Sequence, residues 1–537
     1  MRTNSWLGIA AAACLPLAST GAARPAANAV LRIDSARLPR IATVDPRFQS
    51  YNVEMAEVIG GNFWKPYTPQ SIAGMKAKAS VAAAASGVAG QDPTMFQARA
   101  PIDLTNPRLR RLAAALGPAY VRVSGTWANS AYFADSATPA AAAPRGFDGV
   151  LTRAAWSRVV DFARAANAKL VTSFAISAGV RDSAGLWTPV EARKLLAYTH
   201  AIGGHIAAAE FFNEPDMPVY GGAPAGYSAA DYARDFAIFR KFARATVPDT
   251  QIVGPGSVGE GVLMPRMGGH GLAAGLVRTG DMLAATPLPV FDVFSYHFYG
   301  AASIRCAAMG AGAQTSAADA LSEPWLARTD TSYAFYVKGL RDRYAPGKPV
   351  WITETADAAC GGNPWASTFL DSFRYLDQLG RLARRGVAVV FHNTLASSEY
   401  GLLDQDSFAP RPNYWAALLW HRLMGTTVLD AGPSRPGLHV YAQCLPGQPG
   451  GVTVLAINNS RTQPAAIDLP LPARRYTLDA PALEDGHVRL DGATLALGAD
   501  DALPALAGRP TAAGRAALAP ATISFFAMKN AANPTCY

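Results

Sequence analysis

The chain has 537 residues, of which half are hydrophobic and 16% are charged. This composition supports a large apolar core and excludes disorder as the general state of the chain. The formal net charge is +9 and the pI is about 9.3, yet the basic residues form no Lys/Arg-rich tract. We therefore expect weak steering of anionic substrates and no nucleic-acid partner.

The N-terminus has the pattern of a secretory signal. An early Arg, an apolar stretch over 6–18 and small residues at 21–23 predict a signal peptide over 1–23, and hence a secreted or periplasmic protein. The apolar stretch is too short to cross a membrane, and no later run reaches the required ~20 residues, so we predict no membrane span. Cys14 follows three alanines, which match a lipoprotein cleavage box poorly, and lipid attachment there stays open.

Short β-branched or aromatic runs alternate with amphipathic helical patterns from residue 46 to 424. Eight runs are predicted strands: 48–55, 119–125, 169–176, 207–214, 251–256, 291–299, 349–354 and 387–393. Periodicity alone does not separate a closed barrel from an open doubly wound sheet, but the count of eight favours the barrel. We therefore predict an α/β protein with a (β/α)8 TIM barrel, acting as a monomer.

Two further regions differ from this alternation. Residues 70–100 are rich in Ala, Gly and Ser and predict a partly helical excursion after the first strand. From 425 to 537, short alternating strands separated by Gly, Pro, Asn and Asp predict a C-terminal all-β sandwich. Residues 29–45 alternate in the same way, and we expect them to add a strand to that sandwich.

Four cysteines follow the predicted signal peptide, and in an exported chain this number indicates two disulfides. Cys306 follows the sixth predicted strand and Cys360 the seventh, so both belong to adjacent loops. Cys444 and Cys536 belong to the predicted sandwich. We therefore predict the pairs Cys306–Cys360 and Cys444–Cys536.

Two predicted barrel strands, the fourth and the seventh, end on a glutamate, Glu214 and Glu354. Parallel barrels keep their chemistry at the carboxyl ends of the strands, where these two side chains would meet. Paired carboxylates are what glycoside hydrolysis requires, and their separation decides between retention and inversion, which the sequence leaves open. Asn213, beside Glu214, is placed to hydrogen-bond the 2-hydroxyl of the sugar.

Other chemistries lack their motifs. No G-x-S-x-G lies between a strand and a helix, no H-E-x-x-H or zinc-like cysteine spacing occurs, and no nucleotide fingerprint follows a strand. We expect no cofactor and no metal ion. The alternative from a different class is a non-catalytic carbohydrate-binding protein on a barrel scaffold, against which the intact glutamate pair argues.

The order of these motifs resembles retaining glycoside hydrolases of family 79, the heparanases and β-glucuronidases. The likeness runs from about residue 29 to the end of the barrel and continues weakly through the sandwich. The resemblance implies that Glu214 is the acid/base, that Glu354 is the nucleophile and that configuration is retained. The segments that carry it are "NPRLRRLAAALGPAYVRVSGTWANSAYF", "FFNEP", "VWITETADAACGG" and "EYGLLDQDSFAPRPNYWAALLWHRLMGTTVLD".

The same resemblance implies a sugar-binding pocket. Tyr299 would hydrogen-bond Glu354 and help keep it ionised, while Tyr400 and backbone N–H groups would recognise the carboxylate of glucuronic acid. The residues expected to bind substrate, besides Asn213, are Glu54, Thr126, His297, Tyr299, Gly361, Gly362 and Tyr400.

The substrate implied is an acidic polysaccharide. We predict an endo-β-glucuronidase that cleaves β-D-glucuronic acid linkages in a heparan sulfate-like chain, with an exo-acting β-glucuronidase as the alternative. Two departures from the family bear on this. The Ala-rich excursion stands where mammalian heparanase has an excised linker, so we expect activity without proteolytic maturation. Glu260 stands where the family has a neutral polar residue, and its charge is expected to disfavour sulfate nearby.

Overall fold

A computed structural model describes residues 30–81, 95–138, 142–266 and 275–537. The predicted signal peptide over 1–23 and Cys14 therefore lie outside the described residues, as does the part of the Ala-rich excursion over 82–94. Within the described ranges, no helix has the length and apolarity needed to cross a membrane.

Eight parallel strands close into a barrel, and the eighth pairs with the first. In chain order, and numbered so below, they are Gln49–Glu54, Ala119–Ser124, Ala168–Thr172, Ile206–Glu210, Gln251–Ser257, Val293–Ala302, Val350–Ala359 and Val389–His392. The predicted TIM barrel with a C-terminal β-sandwich is confirmed. The boundaries differ most at the third and fourth strands, which end four residues earlier than predicted, and at the seventh, which continues five residues beyond Glu354.

Inward-facing side chains close the lower half of the barrel. One apolar cluster joins Tyr120, Val171, Val253, Trp351 and Phe391, which come from five of the eight strands. Side chains two positions apart on a strand share a face, so residue 122 faces the same interior as Tyr120, one layer nearer the carboxyl ends. A packed apolar floor thus lies below the layer in which polar groups collect.

Helices follow the strands and cover the barrel. Their starts are encoded locally: Asn106 accepts a hydrogen bond from the backbone of Leu109 and precedes Pro107, and Ser228 forms a capping box with Asp231. The α-helices are Met55–Ile59, Pro69–Val81, Pro107–Ala115, Arg153–Ala165, Val190–Ala201, Ala229–Thr246, Leu263–Arg266, Thr279–Ala284, Glu323–Leu326, Arg328–Tyr333, Asp342–Tyr344, Phe369–Arg384 and Pro412–Leu423. The remaining helical segments are the π-helical Ala334–Arg341 and the 3₁₀ segments Thr126–Ser130, Ala178–Val180, Ile304–Met309, Ala311–Ala313, Ala499–Asp501 and Pro534–Cys536.

The C-terminal strands form two sheets around their own core, which includes Val454, Ile467 and Phe526. The larger sheet contains Arg40–Thr43, Thr427–Leu429, His439–Cys444, Val452–Asn458, Ala473–Asp479, Arg489–Leu490, Ala493–Thr494, Arg509–Thr511 and Thr522–Met528. The smaller contains Leu31–Arg32, Ala465–Leu469 and Gly514–Leu518. The N-terminal segment thus contributes one strand to each sheet.

Two small pairs and two disulfides complete the fold. Gly61–Trp64 pairs with Phe96–Arg99 to form a hairpin above the first strand, and Ala131–Ala134 pairs with Gly149–Thr152. Both predicted disulfides, Cys306–Cys360 and Cys444–Cys536, are confirmed. The first joins the loops that follow the sixth and seventh strands.

A buried charged cluster joins barrel helix Phe369–Arg384 to sandwich strand His439–Cys444. The His439 ring nitrogens lie 2.5 Å from an Asp377 oxygen and 2.9 Å from a Glu323 oxygen, and Arg381 donates to Asp377 at 2.6 Å. An imidazole with a carboxylate on each nitrogen is protonated. Burial opposes this charge, but Asp377 and Glu323 outweigh it and raise the pKa of His439 to about 9.

This cluster predicts a pH-dependent stability. A folded-state pKa above the unfolded value stabilises the fold fully below about pH 6.5 and loses its effect as the pH rises through about 9. We expect His439→Gln to lower the free energy of unfolding by up to about 3 kcal/mol at pH 6 and by much less at pH 10. Urea unfolding across this range checks it, with the exposed His487→Gln as control. An equal loss at both pH values would contradict the assignment.

Candidate active site

Glu214 and Glu354 lie together at the carboxyl end of the barrel. A carboxylate oxygen of each, and a ring nitrogen of His297, lie within 4.8 Å of one another. Glu354 is inside the seventh strand, whereas Glu214 lies four residues beyond the fourth strand, which ends at Glu210. The sequence-based prediction that Glu214 ends a strand is therefore wrong. Glu214 nevertheless lies at the carboxyl end of the barrel, as expected.

The chain leaves the fourth strand early because side chains hold the following turn. Asn129 donates to the carbonyl of Asn213 at 2.9 Å and accepts from its backbone N–H at 2.8 Å. This clamp takes both backbone groups that a continued strand would have paired. Glu214 then adopts a φ of +50°, a conformation that costs a non-glycine residue free energy and persists only where the surroundings impose it. The clamp thus directs the Glu214 side chain into the mouth of the barrel.

Arg122, which the sequence analysis missed, organises the polar layer. It is fully buried on the second strand. It donates to Glu354 at 2.9 Å, to Glu210 at 2.9 Å and to the Asn213 side chain at 2.7 Å. Asn213 was expected to bind the sugar, and here its side-chain oxygen accepts from Arg122. A planar guanidinium with five donors suits such a set of acceptors better than an ammonium does.

His297 lies behind the two glutamates. Its Nδ1 is 3.1 Å from Glu214 and 3.8 Å from Glu354, and its Nε2 is 3.4 Å from Arg122. Burial lowers the pKa of His297 to about 4, so the ring is neutral near pH 7. Because Arg122 can only donate, Nε2 accepts and Nδ1 carries the proton toward Glu214. His297 therefore contacts the carboxylates and is not among the described residues that line the cavity.

The two glutamates have different surroundings. Burial raises the pKa of Glu214 to about 7, with Arg122 opposing the shift and Glu210 adding to it. Glu354 accepts from Arg122 and, at 2.6 Å, from the hydroxyl of Tyr299. Hydrogen bonds from a cation and a phenol stabilise a carboxylate. One group is thus suited to carry a proton and the other to remain charged.

A polar chain continues from Tyr299 along the eighth strand's end. Asn393 donates to the hydroxyl of Tyr299 at 2.9 Å and to that of Tyr400 at 3.2 Å. Sequence reasoning missed Asn393, although an Asn directly after a barrel strand is a signal that would have found it. Because the Tyr400 hydroxyl accepts from Asn393, its own proton is available to an oxygen in the cavity.

Glu54 ends the first strand and lies directly over Gly125. A Cβ at Gly125 would be 1.6 Å from a Glu54 carboxyl oxygen, and Gly125 has a φ of +91°, so both space and backbone require glycine. Burial, and then the charge of Glu354, raise the pKa of Glu54 well above its ordinary value. One carboxyl oxygen has no partner among the described residues. Thr126 follows Gly125 and lines the same cavity.

Gly361 and Gly362 form a pinned turn beside the cavity. Their φ values are +78° and +83°, and both carbonyls accept from the buried Arg305, at 3.1 and 3.2 Å. Arg305 also stacks 3.7 Å from the centre of the Tyr67 ring. The described wall at this point consists of Ala359 and Cys360, and the two glycines are not part of it.

Glu260 does not face the cavity. Its carboxylate accepts from the backbone N–H of Thr279 at 2.9 Å, while its neighbours Val258 and Gly259 line the wall. The expected repulsion of sulfate by Glu260 therefore has no basis in the position of this carboxylate.

The cavity above this polar layer has a volume of about 560 Å³. Six of the residues singled out in the sequence line it: Glu54, Thr126, Glu214, Tyr299, Glu354 and Tyr400. Asn213 and His297 support it from behind. The described lining contains three carboxyl groups, those of Glu54, Glu214 and Glu354, and no Lys, Arg or His. Carboxyl groups can bind hydroxyl groups, transfer protons and attack an electrophilic carbon.

Several known proteins have sequences similar to that of this chain. The chain is 29% identical to Heparanase-like protein 1 of Arabidopsis thaliana over 67% of this chain and 65% of that protein. It is 35% identical to Heparanase of Mus musculus over 36% and 39%, and 26% identical to Hyaluronoglucuronidase of Hirudo nipponia over 81% and 92%. The matches to the first two relatives thus span less than two thirds of their lengths.

A solved structure supports the fold, and a family model the family. The 4-O-α-L-rhamnosyl-β-D-glucuronidase of Fusarium oxysporum 12S aligns with a TM-score of 0.57 over 92% of this chain and 99% of its own, at 13% identity, which supports the fold alone. The model for "Glycosyl hydrolase family 79, N-terminal domain" matches residues 98–380, more than half of the chain. The chain therefore belongs to glycosyl hydrolase family 79.

Proposed function

We propose that this protein is a retaining β-glucuronidase with Glu354 as nucleophile and Glu214 as acid/base. The observation that carries the proposal is the carboxylate pair, whose nearest ligand oxygens lie within 4.8 Å. Retaining glycosidases hold their carboxyl groups about 5–5.5 Å apart, whereas inverting enzymes leave about 6.5–9.5 Å for a water molecule. The short separation supports direct attack on the sugar.

The first step breaks the glycosidic bond. Glu354 attacks the anomeric carbon as the bond to the leaving oxygen breaks, and Glu214 gives its proton to that oxygen. The raised pKa of Glu214, about 7, supports this acid role. The hydrogen bonds from Arg122 and Tyr299 support the charged, attacking form of Glu354.

The second step releases the sugar. Glu214, now ionised, takes a proton from water, whose oxygen attacks the anomeric carbon and displaces Glu354. His297 is neutral and donates its Nδ1 proton toward Glu214. It therefore orients Glu214 in both of its roles, without itself exchanging a proton with the substrate.

Neutral donors support recognition of glucuronic acid. The relatives named Heparanase and Hyaluronoglucuronidase favour a glucuronic acid substrate. No Lys or Arg belongs to the described lining, so a sugar carboxylate would be held by groups such as the Tyr400 hydroxyl. Glu54, whose protonated form is favoured, can donate to or accept from a sugar hydroxyl.

The β-glucuronidase could cleave terminal or internal linkages. Removal of terminal glucuronic acid is the first candidate, and endo cleavage of a heparan sulfate-like chain is the second. The heparanase relatives and the net charge of +9 favour it, whereas the lack of Lys or Arg in the described lining disfavours sulfate close to the catalytic pair. Size profiling of digested heparan sulfate separates the candidates: internal cleavage shortens the chains rapidly, and terminal cleavage releases monosaccharide slowly. The two disulfides support the proposed export of the protein.

The roles of the two glutamates can be tested by substitution. The wild-type protein should turn over aryl glucuronides, and Glu354→Gln should abolish this turnover. A non-catalytic binding protein would show no turnover even as wild type. Glu214→Gln should slow cleavage about 100- to 10,000-fold with poor leaving groups and much less with activated phenols, which need little protonation. Time-resolved NMR that found an inverted product would exclude the mechanism.

The pH profile tests the acid role separately. Since Glu214 must be protonated, kcat/KM should fall as the pH rises through about 7, and Glu214→Gln should remove this limb for activated phenols. Glu57 is a matched control, because burial also raises its pKa to about 7 while it lies outside the cavity lining. If Glu57→Gln removed the limb and Glu214→Gln kept it, the acid would be misassigned.

A further prediction concerns the sugar carboxylate. Loss of buried hydrogen bonds should make an aryl glucoside about 10- to 100-fold poorer than the matching glucuronide. Tyr400→Phe should reduce this preference. Tyr414→Phe, which removes a buried hydroxyl bonded to the Leu112 carbonyl, should not. Equal kcat/KM for the two substrates with wild-type enzyme would refute a carboxylate pocket.

Gly125 provides a second test of the pocket. Gly125→Ala should displace the Glu54 carboxyl group and lower kcat/KM about 10- to 100-fold, about the loss of one or two buried hydrogen bonds. Gly347→Ala is its control, because Gly347 also has a positive φ, +75°, but no atom within 4 Å of the added Cβ. Gly347→Ala should lose roughly 1–2 kcal/mol of stability, and Gly125→Ala should lose more, because its backbone (φ 91°, ψ 175°) lies in a region that essentially only glycine adopts and its added Cβ meets Glu54. Normal activity of Gly125→Ala would remove Glu54 from the site.

A further inference from the structure

The upper part of the cavity has an aromatic side. Trp64 stacks on Phe96 across the hairpin Gly61–Trp64/Phe96–Arg99, with ring centres 4.6 Å apart. Phe63 packs against Trp127, which follows the second strand, at 5.2 Å. All four rings line the cavity. This aromatic wall (Phe63, Trp64, Phe96 and Trp127) is built by the loops that follow the first and second strands.

The other side is aliphatic and rich in sulfur. It comprises Met217, Met264, Leu276 and Met309, which line the cavity and pack in one apolar cluster with both cysteines of the Cys306–Cys360 disulfide. These residues, the methionine wall, come from the loops after the fourth, fifth and sixth strands. In a closed barrel of eight strands, those loops face the loops of the first and second strands across the mouth.

The leaving group has to extend between these walls. The sugar occupies the polar layer, because Glu54, Glu354 and Tyr400 are there. Glu214 protonates the leaving oxygen in the proposed function, and Met217 of the methionine wall lies three residues beyond Glu214. A group attached to that oxygen therefore points away from the sugar, toward the solvent end of the cavity.

The described part of neither wall offers a cation for sulfate. No Lys, Arg or His belongs to the described lining. Arg305 is buried beside Trp64, but it stacks on Tyr67 and donates to the carbonyls of the 360–362 turn. A sulfated sugar would lose hydration here without gaining an ion pair.

We propose that the leaving-group side of this site binds a planar, apolar aglycone, so that the preferred substrates are glucuronides of fused-ring phenols. The inference rests on the proposed β-glucuronidase function and adds the class of leaving group. Flat rings stack on aromatic side chains, and methionine adapts to ligands of different outline. The two walls present four aromatic and four aliphatic side chains, so a second fused ring can gain apolar contact that a single ring lacks.

The test compares leaving groups of similar acidity, so that chemistry contributes equally. The wild-type enzyme should cleave 2-naphthyl β-glucuronide with a kcat/KM about 5- to 10-fold above that of the phenyl compound. A disaccharide of glucuronic acid and N-acetylglucosamine, whose alcohol leaving group is less acidic than either phenol, should be cleaved more slowly than both, so only the opposite order bears on the subsite. Phe96→Ala and, on the opposite wall, Leu276→Asn should each reduce the naphthyl/phenyl ratio to about 1–2. Leu288→Ala, at an exposed site before the sixth strand (64% exposed), should leave it unchanged.

The outcomes separate this inference from the function on which it rests. Equal kcat/KM for naphthyl and phenyl glucuronides, or a preference for the disaccharide, would overturn the apolar subsite while the glucuronidase function stands. Cleavage of no glucuronide would overturn the function. Calorimetric titration with 2-naphthol then decides the subsite: saturable binding by wild type that Phe96→Ala or Leu276→Asn weakens supports it, and no binding contradicts it. Two variants on opposite walls guard against misfolding of the hairpin, which melting temperatures would reveal.

Discussion

The candidate site depends on one buried cation. Arg122 has no contact with solvent, and its guanidinium connects the second strand to Glu210, Glu354 and Asn213. Burying a charge without partners is costly, and removing one partner of a buried pair typically costs about 3–5 kcal/mol. The acidic groups at the strand ends are therefore tolerable only because Arg122 lies among them. The same guanidinium sets their relative positions.

One cation nevertheless leaves the two glutamates in different surroundings. Glu354 receives a direct hydrogen bond from Arg122 and a second from Tyr299. Among the described residues, Glu214 is hydrogen-bonded by the side chain of the neutral His297 alone, while burial and Glu210 raise its pKa. The asymmetry arises from the number and charge of the donors, since the residue type is the same. Pairs of carboxyl groups whose surroundings push their pKa values apart are a general means of dividing acid and nucleophile roles.

Features with a local signature could be predicted from the sequence. Eight strands follow from the alternation of apolar runs, and the disulfides follow from placing each cysteine after a strand or in the sandwich. The two smaller-sheet strands Ala465–Leu469 and Gly514–Leu518 have weak local signatures, because they are rich in Ala and carry little β-propensity. The end of the fourth strand was misplaced because Asn129, 84 positions away, holds the turn.

The partners of the candidate site were harder to predict, since their contacts are distant in the chain. Arg122 lies 88 positions from Glu210 and 232 from Glu354, and no spacing rule joins them. A charge between the valines of "YVRVS" was still a usable signal, because an inward-facing Arg in a buried strand requires a carboxylate partner. Trp64 and Phe96 gave no such signal, because the Ala-rich segment separates them and hides their pairing.

The hairpin that carries Trp64 and Phe96 has an evolutionary consequence. It is an insertion between the first strand and the helix Pro107–Ala115, and it contributes no strand to the barrel and no group to the catalytic pair. Its sequence can therefore drift, lengthen or be exchanged while the carboxylates and their guanidinium stay in place. Exchange of this hairpin alone would therefore remodel the aromatic side of the cavity and leave the eight barrel strands unchanged.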